Sequence, residues 1–157
     1  MDDIAGLAAL IAAGAVAVAC AAGCGSVRPA VGHRQFAAKA NAICRREQVQ
    51  VAYIDARGRL RGLAPQAPHV IRQRAAQSQL ATERLQALAQ PAGEAAAIGR
   101  WLTARTVAAT VALDLAEAPR HGEAVAVADV RAQAGRALAQ ASAQAAALSL
   151  RTCSEVA

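Results

Sequence analysis

The chain has 157 residues, is 55% hydrophobic but only 2% aromatic, and carries a formal net charge of +6. That length holds one domain, or a targeting segment followed by one smaller domain. About three residues in ten are alanine, the strongest helix former, while β-branched and aromatic residues are scarce, which excludes sandwiches, barrels and α/β sheets.

From Ile4 to Gly23 no side chain is charged, and about 20 helical residues cover the hydrocarbon core of a bilayer. The stretch Ala21-Ala22-Gly23-Cys24-Gly25-Ser26 follows directly. Small residues ahead of a cysteine resemble the lipobox of bacterial lipoprotein signal peptides. The resemblance implies that Cys24 is acylated and becomes the mature N-terminus. Cys20, behind Ala17-Val18-Ala19, is a second and poorer match. Ala21 stands where a lipobox usually has leucine, and Asp2 and Asp3 stand where a leader usually has lysine or arginine. Arg28, Arg34 and Lys39 follow the segment instead, a charge order that favours the opposite orientation by the positive-inside rule. An upstream start with a basic leader would account for it. An uncleaved anchor or an ordinary cleaved signal peptide is the alternative. Residues 1–23 are thus read as signal peptide or membrane anchor, 24–33 as a tether, and 34–157 as the folded domain.

Four helical segments are predicted after the tether. The first runs from about Arg34 to Arg61, with Phe36, Ala40, Ile43, Val51 and Ile54 at helical spacing and Glu47 interrupting the stripe. Gly62, Pro65 and Pro68 close it, and Pro68 suits the first turn of the next. The second carries Ile71, Ala75, Ser78, Ala81 or Thr82, Leu85 and Leu88 on one side and stops before Pro91. The third covers roughly Gly93 to Ala118, aligning Ile98, Leu102, Ala109 and Leu113, with Trp101, Val107, Val111 and Leu115 widening its apolar face. Pro119, Arg120, His121 and Gly122 form the next connection. The fourth runs from Glu123 to about Ser149, with Val127, Val130, Ala134, Leu138, Ala141, Ala145 and Leu148 near heptad spacing. Short connections between helices of similar length make neighbours antiparallel. The expected fold is an all-α, up-down-up-down four-helix bundle preceded by an N-terminal apolar signal or anchor helix.

Two cysteines remain outside the leader, Cys44 and Cys153, one early in the domain and one near its end. An even pair in an exported domain reads as a disulfide. Two separate buried thiols are the alternative, and a metal pair is disfavoured because neither cysteine has a second ligand at metal spacing. The bundle topology brings both to one end if the last residues fold back along helix one. The stretch Phe36-Ala37-Ala38-Lys39-Ala40-Asn41-Ala42-Ile43-Cys44, with Cys153 closing the chain, resembles a group of uncharacterised small bacterial exported helical proteins. These have a signal or lipoprotein leader, an F-x-x-x-A-x-x-I-C opening helix and a closing cysteine. The resemblance implies the same disulfide and the same bundle, and no activity.

No motif for chemistry stands out. The serines lack a G-x-S-x-G setting, no glutamate has a histidine three residues later for a di-metal bundle site, and phosphate- or dinucleotide-binding glycine loops are missing. The three histidines fall at helix ends or connections, and His69 and His121 would share one end of the bundle. The expectation is a non-enzymatic protein with no catalytic, cofactor-binding or metal residues. Of the basic residues all but Lys39 are arginine, among them Arg45, Arg46, Arg57, Arg59 and Arg61 on helix one and Arg72, Arg74 and Arg84 on helix two. They are either a solvated face that also complements a helix dipole, or a surface for anionic lipid or an acidic protein. Three aromatic residues cannot build a nucleic-acid stacking platform. The reading is therefore an envelope-tethered extracytoplasmic bundle, held at the cell membrane through Cys24 or secreted, with a partner-binding or structural role. The alternatives are a small-ligand or metal-binding bundle and a basic cytosolic nucleic-acid-binding protein.

Overall fold

The computed structural model describes residues 31–118 and 124–155. Cys20, Cys24, the apolar leader, most of the tether and the connection with His121 lie outside them. The described chain is all-helical, in the order α1 (His33–Leu60), α2 (Pro68–Gln86), α3 (Ala95–Glu117), α4 (Ala124–Ala147) and a short α5 (Arg151–Ser154). Four long helices stand within a few residues of their expected positions. α5 has no counterpart in the periodicity.

Local chemistry sets the ends. Gly62, at φ +70°, terminates α1 in a Schellman motif: Leu63 N–H reaches the Gly58 carbonyl and Gly62 N–H the Arg59 carbonyl. Pro68 occupies the first turn of α2, where its missing N–H has no helical partner to lose. Gly93 adopts φ +85°, so α3 starts at Ala95 and not at Gly93 itself. α4 ends in a second Schellman motif with Leu150 N–H on Ala145 and Ser149 N–H on Ala146. Here Ser149, not a glycine, takes the left-handed position at φ 56°.

Consecutive helices run antiparallel. Asp55 late in α1 pairs with Arg74 early in α2, and Arg72 of α2 pairs with Glu117 at the end of α3. The main core gathers at the opposite end, where Phe36, Ala40 and Cys44 of α1 meet Leu85, Ile98, Trp101, Leu102, Ala145, Leu150 and Cys153. Ile71, Ala75, Leu85, Ile98, Leu102, Ala134, Ala141 and Ala145 all face inward to some degree, as their spacing indicates. Val107 does not widen the apolar face of α3, being 47% exposed. The inner arc of that helix is taken by Ala104, Arg105, Ala108 and Ala109, and Val107 lies across the helix from them.

α1 packs on α2, α2 on α3 and α3 on α4, but α1 and α4 bring no Cα atoms within 8 Å of each other among the described residues. A closed four-helix bundle would join them. Here α5 does so, packing against both. The left-handed conformation of Ser149 costs a non-glycine residue about 1–2 kcal/mol. Ser149→Gly should therefore stabilise the fold by roughly 1 kcal/mol after the extra chain entropy of glycine is subtracted, read as a higher melting midpoint.

Candidate functional site

Three features stand out among the packed helices, and the first lies where α1, α4 and α5 converge. It is the C-terminal cap. The Schellman turn reverses the chain after α4 and drives Leu150 into the core. Thr152 N–H then bonds to the Asn41 side-chain carbonyl at 3.0 Å, and Gln48 Nε2 donates to the Thr152 carbonyl at 3.2 Å. Ser142 Oγ donates to the Ser154 carbonyl from the α4 side. These bonds hold α5 against α1 and α4, and the sulfurs of Cys44 and Cys153 lie at bonding distance, with Cα atoms 5.1 Å apart at a sequence separation of 109. Both cysteines are buried. The back-folding anticipated from the cysteine positions is what α5 carries out.

The second feature was not legible as a site. Glu47, which interrupts the apolar stripe of α1, is buried and accepts a 2.7 Å bond from Arg105 Nη2 of α3. Arg105 Nε donates to Thr82 Oγ1 at 3.2 Å, and Thr82 in turn donates to the Ser78 carbonyl at 2.8 Å. The guanidinium carbon lies 5.9 Å from the Trp101 ring centroid, within cation–π range. Burial pushes the Glu47 carboxyl above its ordinary value of 4.5, while the Arg105 charge and hydrogen bonds pull the other way. A charged pair on the α1–α3 diagonal is a costly use of the interior, but removing one partner costs more than the pair itself.

The third feature is a groove on the side where α1 and α4 stay apart. It encloses about 610 Å³, within the range of roughly 300–1,000 Å³ typical of ligand pockets. Val51 and Ala52 of α1, Ile71 and Ala75 of α2, Ala108, Ala112 and Leu115 of α3 and Ala134 and Leu138 of α4 line it. Glu47 and Ser78 lie along the same wall, and the Asp55–Arg74 pair also borders it. Short alanine side chains on all sides leave the space that leucines would fill.

Among the described residues no group of three or more histidine, cysteine, aspartate or glutamate side chains could hold a metal ion. His33 at the start of α1 bonds Glu94 through Nδ1 at 2.9 Å, and His69 is exposed. Arg57 and Arg59 stand in the last turn of α1, where they complement its dipole. Arg72 and Arg74 are drawn into ion pairs with Glu117 and Asp55. No family model, no curated protein and no solved structure matches this chain.

Because the folded-state pKa of Glu47 lies above its unfolded value, the folded chain holds that proton more tightly, and the contribution of Glu47 to stability declines as pH rises above about 4.5. Arg105→Met strands the carboxylate and should cost about 3–5 kcal/mol near neutral pH. The loss should shrink as pH falls and Glu47 takes up a proton, a trend that denaturant titrations at several pH values will read.

Proposed function

We propose that this chain is a non-enzymatic helical domain of the cell envelope, held on the extracytoplasmic side through an acylated Cys24 and serving as a partner-binding or structural module. The observation that carries this reading is the Cys44–Cys153 pair, buried and at bonding distance across the cap. Disulfides persist in exported proteins and are rare in reducing cytosol. Closing a loop of this kind removes about 4.7 kcal/mol of unfolded-state entropy for roughly 100 enclosed residues on the chain-entropy model. That matters for a domain whose interior is largely alanine, since each buried alanine removes little apolar area from water. The uncharged run from Ile4 to Gly23 and the small residues before Cys24 supply the address. No helix among the described residues is long and apolar enough to cross a membrane, so in this reading the leader or the lipid provides the attachment. The likeness of the opening helix and closing cysteine to small exported bacterial proteins supports the same assignment.

Intact mass of the chain recovered from its native host, before and after reduction, tests both parts. An acyl mass on Cys24 and two thiols freed only by reductant are the expected result. A soluble, reduced, unacylated chain overturns the reading and favours the cytosolic alternative. Cys153→Ser should lower the melting midpoint under oxidising conditions to that of the reduced parent chain.

The groove favours a second reading, in which a small apolar ligand lodges between the helices. Its about 610 Å³ volume and alanine-lined walls are the specific support. A ligand-dependent rise in melting midpoint with long-chain apolar compounds is then expected, and an unchanged midpoint across such compounds removes this reading.

A further inference from the structure

The outer face of α1 combines two chemistries that solvent alone does not call for. Ala38, Ala42, Val49, Tyr53 and Leu60 are all exposed and recur at intervals of four and seven residues, the repeat of a single helical stripe. Three of them are large, with Val49 61%, Tyr53 57% and Leu60 88% exposed. Arg34, Arg45 and Arg59 run along one side of this stripe at multiples of the helical turn. Lys39, Arg46 and Arg57 run along the other, and all six are exposed. The two acids of α1 are turned away from them: Glu47 is buried on Arg105, and Asp55 pairs with Arg74. Among the described residues none of the six cations forms a salt bridge.

We propose that this face is a docking surface for an anionic phospholipid bilayer, with α1 lying flat on the membrane. Val49, Tyr53 and Leu60 then enter the headgroup–acyl boundary, where tyrosine is favoured, while the two cation rows reach phosphates along apolar stems. Charge complementarity selects an anionic partner. The apolar stripe between the rows selects lipid over nucleic acid, because a phosphate backbone offers nothing to desolvate a leucine. Placement agrees: the nine residues from Cys24 to His33 span at most about 30 Å. α1, with 28 residues, is itself about 42 Å long, so an anchor at Cys24 holds its first turn within reach of the surface and leaves its full length free to lie along it. The biological setting rests on the envelope-tethered reading, while the surface chemistry is testable without it.

The test uses the full chain carrying Val49→Trp, reconstituted into vesicles of phosphatidylcholine alone or mixed with phosphatidylglycerol. Trp101 is fully buried and supplies a constant background, subtracted with the unsubstituted chain. The expected result is a blue-shifted emission and several-fold stronger quenching by brominated acyl chains in the anionic vesicles only. Adding Arg45→Gln, Arg46→Gln, Arg57→Gln and Arg59→Gln should abolish both, and so should high salt. Attachment through the leader alone leaves position 49 in water, so equal, water-like emission in both vesicle types overturns the proposal whatever the acylation state of Cys24. A reporter that answers duplex DNA but not anionic vesicles overturns it too, and gives the face to nucleic acid. Intact mass separately judges the tether.

Discussion

The tie between the first and last long helices depends on a few residues after α4. Among the described residues α1 and α4 bring no Cα atoms within 8 Å of each other, and α5 packs against both. Ser149 in a left-handed conformation turns the chain back, Leu150 plugs the core, and Cys153 reaches Cys44. Asn41, Gln48 and Ser142 then satisfy the polar groups that such a turn would otherwise leave open. A tie at one end and separation at the other give the molecule its asymmetry. Large side chains gather at the capped end, and the groove opens where alanine lines the walls.

The Glu47–Arg105 pair belongs to the same economy. An interior built from small side chains has room for a long guanidinium, and Thr82, Glu47 and the Trp101 ring meet its donors and charge. Hydrophobic contact between alanines is weak and tolerates sliding, whereas a charged pair at 2.7 Å holds α1 and α3 in one register. Such pairs contribute little net stability after desolvation, so their value here is geometric. Among the described residues the indole N–H of Trp101, buried beside this pair, has no hydrogen-bond partner, which adds to the polar cost of that end of the core.

α1 serves two surfaces at once in the proposed arrangement. Its inner side carries Phe36, Ala40, Cys44 and Glu47 into the core and the ion pair, and its outer side presents cations around an apolar stripe. The groove between α1 and α4 would remain open to either occupant or solvent. A domain tethered close to a membrane by a short segment gains orientation from such a helix, because a flat-lying face fixes which way the groove and the cap point.

The four long helices were legible because local rules place them: proline and glycine punctuate the chain, and apolar spacing marks an inner side for each. The Cys44–Cys153 pairing was legible from parity and position alone. Periodicity could not reveal α5, since four residues make no stripe, nor that Val107 faces out while Arg105 faces in. It registered Glu47 only as a break in the pattern, because the partner that gives it meaning lies 58 residues away. Helix existence is a property of neighbouring residues, so composition and spacing determined it. The open α1–α4 side, the groove and the buried charge pair arise from which helices touch and how closely, and only the packed chain decided those.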